Sequence, residues 1–218
     1  MTFENLHLNK KAAYMGIGLI WLFHISGLIG ITLGYQDWFV TKTVLNLSLV
    51  AIIFLLLFPV NTKQKASIAG LFFMVGFGIE WVGVHHDFLF GAYEYGENFG
   101  AKFFDVPWLI GVNWMLLTFV TGALADKYIS SFWFKVAFGA FLMVFLDFFM
   151  EVTAPIFNFW IWEEGSAPLR NYITWFGVAF VLHFVFQKNR IKGNTTLALH
   201  IYLAQLVFFV YFYGYHQS

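Results

Sequence analysis

The sequence of 218 residues contains no cysteine, and charged residues make up only 11% of it. Without cysteine, the chain can have no disulfide bonds, thiolate metal ligands or thiol nucleophile. Its twelve basic and twelve acidic residues cancel. No excess of positive charge therefore favours nucleic acid or a strongly anionic surface as a partner, and we predict no nucleic-acid binding.

What the chain has in abundance is apolar sequence, since 60% of its residues are hydrophobic. A transmembrane helix needs about 20 predominantly apolar residues, and seven runs are long enough to qualify. They cover residues 13–34, 38–60, 67–84, 107–125, 132–150, 171–187 and 196–213. The sequence therefore predicts an all-α, polytopic bundle of about seven transmembrane helices, with residues 1–218 forming a single integral membrane domain in the lipid bilayer.

The positions of lysine and arginine predict the orientation of this bundle. Nine of these twelve residues fall on the side of the N-terminus, and only Lys42, Lys102 and Arg170 fall on the other side. By the positive-inside rule, the N-terminus is expected in the cytoplasm and the C-terminus outside. The two long loops, 85–106 and 151–170, then lie on the outer face together with most of the acidic residues.

Three acidic residues lie within or at the ends of the apolar runs: Glu80, Asp147 and Glu151. A charge at the centre of a membrane helix costs about 2.5–3.5 kcal/mol on insertion scales, so such residues usually face the bundle interior and have a function. In "DFFME" the i, i+4 spacing puts Asp147 and Glu151 on one helical face. Two close carboxyl groups in an apolar setting should not both ionise, which predicts an acid/base pair. The alternative is that Glu80 and Glu151 are solvated at the headgroup level and only Asp147 is inside.

The histidines divide into two groups. His85 and His86, with Asp87, follow Glu80 closely enough to converge with it as metal ligands or proton carriers. No H-E-x-x-H or comparable spacing is present, so metal binding is the less favoured interpretation, and we predict no metal and no cofactor. Three further histidines each stand alone in an apolar helix, where an interior hydrogen bond is the simpler explanation: His24, His183 and His200. By the same reasoning, Asn46 and Asn113 could simply bridge helices.

A weak internal repeat occurs in the middle of the chain. "PWLIGVNW" (107–114) and "PLRNYITW" (168–175) both run from proline through six residues to tryptophan, and both begin a predicted helix after a long loop. Each loop follows a helix with carboxyl groups near its outer end. The pattern predicts a parallel repeat, although proline is common at helix starts for other reasons.

Aromatic residues make up 22% of the chain. Most are expected to face lipid or to form the interfacial belts of membrane proteins. Several tryptophans, however, are adjacent to the polar residues in "EWVG", "NWM", "FNFWIW" and "ITW". Aromatic faces can stabilise a cation, and an apolar tunnel with polar groups at one end would suit an isoprenoid.

Four segments in this order carry a family resemblance: "IEWVGVHHDFLFGAYEYG", "FDVPWLIGVNWM", "DFFMEVTAPIFNFWIWEEG" and "APLRNYITWFG". Together they resemble the carotenoid biosynthesis membrane-protein family that includes carotenoid 1,2-hydratases, such as bisanhydrobacterioruberin hydratase and gamma-carotene hydratase. The resemblance spans residues 70–180 or so, and the outer helices match in hydropathy alone.

The resemblance implies a hydro-lyase that adds water across the terminal double bond of an acyclic carotenoid, lycopene-like or gamma-carotene-like, in a bacterial or archaeal cell membrane. Other carotenoid enzymes are possible partners. This chemistry needs an acid, a stabilised cation and an oriented water. The expected catalytic residues are Asp147 or Glu80 as the acid and Glu151 or His85 as the group that orients water. The expected substrate-binding residues are Trp81, Tyr93, Tyr95, Asn113, Trp114, Trp160, Trp162, Asn171 and Trp175.

Other functions stay open at this point. A carotenoid end-group cyclase or isomerase uses the same protonated alkene, and a non-enzymatic carotenoid-binding or isoprenoid transport protein would need the same apolar tunnel. A prenyltransferase would need a basic clamp for diphosphate, for which Lys102 and Arg170 are the only outer-side cations near the motifs. A retinal protein would need a lysine inside a late helix, and "LALHIYLAQLVFFVYFYGY" has none.

Overall fold

The computed structural model describes residues 3–217, with side chains from Lys10 onward. Over these residues, the chain forms eight helices and four short strands. In chain order they are α1 (Phe3–Thr32), α2 (Gln36–Val40), α3 (Thr43–Leu57), α4 (Lys63–His85), β1 (Tyr93–Tyr95), β2 (Lys102–Phe103), β3 (Val106–Pro107), α5 (Trp108–Tyr128), α6 (Phe132–Thr153), β4 (Trp160–Trp162), α7 (Leu169–Lys188) and α8 (Thr195–Tyr215).

Seven helical segments of the described chain are long and apolar enough to cross a membrane, with α2 and α3 together making one of them. The predicted all-α bundle is therefore confirmed. Its outer surface is rich in large apolar side chains, and Leu56 and Phe134 are 72% and 71% exposed. Such a surface is unfavourable in water and suits hydrocarbon. The protein is a multi-pass integral membrane protein.

The second predicted helix is interrupted near its start. The structure ends α2 at Val40 and begins α3 at Thr43. The hydroxyl of Thr41 donates to the Trp38 carbonyl at 2.9 Å, and the hydroxyl of Thr43 donates to the Val40 carbonyl at 2.7 Å. Threonine hydroxyls that bond to nearby backbone carbonyls compete with regular helical hydrogen bonding. These contacts accompany a break that hydropathy could not indicate.

Helix α5 is the centre of the bundle. It is almost entirely buried, whereas half or less of each other span is buried, and it packs against α3, α4, α6, α7 and α8. Its contact with α4 depends on Gly76, because a Cβ atom there would lie 2.3 Å from Cβ of Trp114. The two helices that carry acidic residues, α4 and α6, thus pack against the same central helix.

The two long loops are folded together rather than irregular. Strand β1, in the first loop, pairs antiparallel with β4, in the second, so that Tyr93 lies opposite Trp162 and Tyr95 lies opposite Trp160. Alternation along a strand sends these four side chains to the same buried face. Gly96 allows the loops to meet, since a Cβ atom there would lie 2.2 Å from the Asn158 carbonyl oxygen. We call this end of the bundle the strand end.

The opposite end of the bundle is closed by conventional polar contacts. Thr62 caps α4 and Asn194 caps α8, each by accepting a backbone N–H hydrogen bond. Asp126, near the end of α5, forms ion pairs with Lys135 at 2.6 Å and with Lys192. These three charges are paired and partly exposed, unlike the acidic residues near the strand end.

Candidate active site

Three carboxyl groups line one small cavity just inside the strand end. Glu80 comes from α4, and Asp147 and Glu151 come from α6, one turn apart. Their exposed fractions are 3%, 2% and 7%. The alternative in which Glu80 and Glu151 are solvated is therefore wrong, because β1 and β4 cover them. The cavity measures about 20 Å³, which is space for roughly one water molecule.

Glu80 accepts three hydrogen bonds. Its Oε2 accepts from the Tyr93 hydroxyl at 2.6 Å and from the Tyr95 hydroxyl at 2.8 Å. Its Oε1 accepts from Nε1 of Trp114 at 2.9 Å. Two of the three donors are phenols, which can also accept a hydrogen bond when they rotate.

Glu151 also accepts three hydrogen bonds, but from a different set of donors. Its Oε2 accepts from Nε1 of Trp160 at 2.9 Å and from Nε1 of Trp162 at 2.7 Å. Its Oε1 accepts from Nδ2 of Asn171 at 2.8 Å. An indole N–H can only donate, whereas an asparagine amide can donate through its NH₂ or, after turning over, accept through its oxygen. Because the two indoles demand an acceptor and Asn171 donates as well, this set favours Glu151 as the carboxylate.

Asp147 differs from both glutamates. Within the part of the chain that the structure describes, neither of its carboxyl oxygens has a partner with hydrogen-bond geometry. Asn171 donates one N–H of its amide to Glu151, and its second N–H lies near Asp147 without hydrogen-bond geometry. A buried carboxylate without donors is costly, and a neutral carboxylic acid is much less so. Of the three acids, Asp147 is thus the one whose surroundings suit the protonated form.

The tyrosines beside Glu80 remain donors at ordinary pH. Burial raises the pKa of Tyr93 and of Tyr95 well above the usual value, and the nearby Glu80 charge raises both further. The phenols therefore keep their protons and do not add a second negative charge to the cavity.

The weak repeat in the sequence has a structural counterpart. Pro107 and Pro168 precede α5 and α7, and seven residues after each comes a tryptophan whose ring reaches the site. Trp114 and Trp175 stack with their ring centroids 4.0 Å apart and their planes inclined by 24°. Each half thus supplies one glutamate, two aromatic donors from a strand and one of the stacked indoles.

Two of the predicted residues neither line a cavity nor contact the three carboxyl groups. Trp81 and His85 are exposed, with Nδ1 of His85 hydrogen-bonded to the Trp81 carbonyl and its Nε2 3.6 Å from Asp105. The reason is helical geometry. At 100° per residue, positions one and five residues after Glu80 are turned about 100° and 140° away from it. The expectation that His85 would converge with Glu80 is wrong.

The isolated histidines make interior contacts, as their apolar surroundings predict. His24 is hydrogen-bonded to the Ile20 carbonyl at 2.8 Å, and His183 to the Ala179 carbonyl at 2.7 Å and the Thr121 hydroxyl at 2.8 Å. His200 accepts from Nε1 of Trp21 at 3.0 Å.

A second cavity, of about 350 Å³, lies beside the first among α1, α2, α3, α5, α6 and α8. We call it the chamber. Its walls are mainly aromatic and aliphatic, and Asn113 lines it rather than the carboxyl cavity. Sequence reasoning missed the chamber, because its residues come from six helices and both long loops. It also missed Ile110, which lines the carboxyl cavity one turn before Trp114.

The chemical capacity of the site follows from these contacts. Asp147 can supply a proton, a water-sized space adjoins it, and a carboxylate held by obligate donors is one turn away. Stacked indoles and the two glutamates surround the space with groups that favour positive charge. The arrangement suits a reaction in which an apolar molecule is protonated to a short-lived cation and the cation then reacts with water.

A family model described as "Carotenoid biosynthesis protein" matches residues 39–217, which is more than half of the chain. No curated protein and no solved structure matches it.

Proposed function

The chain belongs to the carotenoid biosynthesis protein family, and from this premise we propose that it is a carotenoid 1,2-hydratase. The reaction adds water across the terminal double bond of an acyclic carotenoid end group. Membership supports a role in carotenoid biosynthesis, and the seven apolar spans suit a hydrocarbon substrate dissolved in the bilayer. The choice of hydration rests on the carboxyl cavity.

The observation that carries the proposal is the pairing of an unbonded acid with a water-sized space. Asp147 has no hydrogen-bond partner among the described residues, and the adjoining cavity of about 20 Å³ is lined by Glu80 and Glu151 as well. Hydration needs both parts, because the proton and the water must arrive at neighbouring carbon atoms.

In the proposed first step, Asp147 transfers its proton to carbon 2 of the end group. The electron pair of the C1=C2 double bond forms the new C2–H bond and leaves a tertiary cation at carbon 1. The negative charges of Asp147, Glu80 and Glu151 and the faces of Trp114 and Trp175 stabilise this cation. Hydrogen bonds to the glutamates hold their charges in place before the reaction begins.

In the second step, a lone pair of water forms the C1–O bond, and the water transfers a proton to Glu151. The product is a tertiary alcohol. The proton then returns from Glu151 to Asp147, which lies one helical turn away. One water is consumed, and the enzyme regains its starting protonation state without an outside acid.

The chamber offers a route for the end group. Three pairs of residues close in sequence line the two cavities, the first of each pair the chamber and the second the carboxyl cavity: Asn113 and Ile110, Met150 and Glu151, and Phe159 and Trp160. The two cavities therefore share parts of α5, α6 and the second long loop. We propose that the end group approaches the acids from the chamber.

A carotenoid end-group cyclase is the second candidate, because it starts from the same protonation. Cyclisation loses a proton from the cation and needs water to be kept away. The water-sized space lined by three carboxyl groups favours hydration over cyclisation.

The test is to express the chain in cells that accumulate lycopene and to measure pigment masses by liquid chromatography with mass spectrometry. We expect a gain of about 18 or 36 mass units for one or two waters, since hydration adds whole water molecules. Growth in ¹⁸O-labelled water should place the label in the product. A changed chromatographic retention with unchanged mass would show a cyclase or isomerase and overturn the proposal.

A further inference from the structure

The chamber contains polar atoms that its apolar walls do not explain. Nδ2 of Asn113 is buried and has no hydrogen-bond partner among the described residues, and the same holds for Oδ1 of Asn46. Both residues line the chamber, and Asn113 is only 4% exposed. A buried polar group without a partner costs free energy, and a ligand in the chamber could recover that cost if either side-chain amide turned toward it.

The chemistry of the two atoms selects the ligand. Nδ2 of Asn113 is a donor and Oδ1 of Asn46 is an acceptor. A hydroxyl group satisfies both, because its oxygen accepts and its hydrogen is donated. A pure hydrocarbon satisfies neither atom. An anion offers only acceptors, so it would leave Oδ1 of Asn46 without a donor. The apolar walls, including Phe159 and Phe208, fit the chain to which the hydroxyl is attached.

We propose that the chamber binds the hydroxylated end of a linear isoprenoid, with the hydroxyl hydrogen-bonded to Asn113, to Asn46 or to both. This proposal rests on the proposed function in one respect, since it assigns the chamber to the tertiary alcohol that hydration produces. The alcohol forms beside Ile110 and passes one turn along α5 to Asn113. A volume of about 350 Å³ is within the range of small-molecule sites and receives one end of the molecule, not its whole length.

The experiment is a competition between two pigments on purified protein in detergent micelles. The protein carries Asp147→Asn, so that no pigment is converted during the measurement. It is incubated with equal amounts of lycopene and of its singly hydrated derivative, which bears one tertiary hydroxyl at one end. The retained pigments are then separated and quantified, and their ratio reports the preference for the hydroxyl.

We expect the hydrated pigment to be retained roughly tenfold over lycopene, which is the effect of one or two hydrogen bonds. Adding Asn113→Leu or Asn46→Leu should bring the ratio close to one while total pigment retention persists. Each substitution is tested separately, so that a folding defect in one leaves the other informative. Asn189→Leu is the matched control, because Asn189 lies at the far end of α7 and caps the Val185 carbonyl; it should keep the high ratio.

A ratio near one in the parent protein overturns the proposal, and so does a high ratio that neither substitution lowers. Equal retention of both pigments would show a site for hydrocarbon chains in general. The proposed function fails separately: a chain that leaves lycopene unhydrated in cells but shows the expected ratio would be a binder of hydroxylated isoprenoids. If lycopene is hydrated in cells but the retention ratio is near one, the proposed function stands and the proposed binding of its product in the chamber is wrong.

Discussion

Glu80 and Glu151 occupy similar places in the two halves of the site, yet their hydrogen-bond donors differ. Two phenols and one indole surround Glu80, whereas two indoles and one amide surround Glu151. Phenols can reverse their hydrogen bonds, and indoles cannot. The donors around Glu151 therefore favour a carboxylate at rest, ready to accept a proton, whereas those around Glu80 are compatible with either protonation state. Asp147, with no donor, is the third case.

The largest effect is expected from Asp147→Asn, which removes the proposed acid. An amide cannot deliver a proton, so turnover should fall by about 10²–10⁴-fold or below detection, while the protein still inserts and folds. The measurement is product mass per milligram of membrane protein. Asp126→Asn is the matched control at the opposite end of the bundle and should keep its activity, since partly exposed ion pairs contribute little to stability. Near-normal activity of Asp147→Asn would rule Asp147 out as the acid.

The next largest effect is expected when each glutamate is replaced by glutamine, which tests the difference between their two sets of donors. In Glu151→Gln, the new NH₂ must face either two indole N–H groups, which cannot accept, or the Asn171 amide, which can accept only by turning over; each group left unpaired costs about 1–3 kcal/mol of unfolding free energy. In Glu80→Gln, a tyrosine hydroxyl can rotate and accept, so the loss should be smaller. Unfolding in mixed micelles, followed by circular dichroism, measures both.

Hydration activity should follow the same order, because Glu151 is also the proposed base. Equal destabilisation by the two substitutions, or a larger loss for Glu80→Gln, would contradict the distinction between reversible and obligate donors.

A smaller effect is expected when single donors are removed. Each of Tyr93→Phe and Tyr95→Phe deletes one hydrogen bond to Glu80 and leaves the ring in place, which should cost about 1.5–3 kcal/mol if the acceptor is charged and about 0.5–1.5 kcal/mol if it is neutral. The same unfolding measurement therefore reports the protonation state of Glu80. Thr41→Val, which removes a hydroxyl bonded near the α2–α3 break, controls for general effects of hydroxyl loss. Two tyrosine variants that match this control would show that the phenols do not hold Glu80.

Hydropathy predicted the seven spans because the bilayer imposes a length and an apolar composition on every one of them. It could not predict the break at Thr41, which side-chain hydroxyls accompany. The strands β1 and β4 were also missed, since three-residue strands form only through their pairing with each other. Yet "YEY" and "WIW" alternate as strands do, and that period could have indicated that each pair of aromatic side chains points to one side.

The candidate site could be predicted from the sequence only in part. Asp147 is buried as its apolar neighbours indicate, whereas the burial of Glu80 and Glu151 depends on strands that cover them from distant positions. His85 was predicted to lie beside Glu80 because the two are close in sequence. The rotation of the helix between them turns their side chains in different directions. The orientation of the bundle and the extent of the domain remain predictions from charge and composition.

The most direct test of the account is infrared spectroscopy of the purified protein in lipid, in which a protonated carboxylic acid is seen by its C=O stretching band. The account predicts such a band in the wild-type protein, shifted in D₂O, lost in Asp147→Asn and retained in Glu151→Gln. A band that survives Asp147→Asn and disappears in Glu151→Gln would show that Glu151, not Asp147, carries the proton. That result would contradict the assignment of Asp147 as the acid and Glu151 as the base.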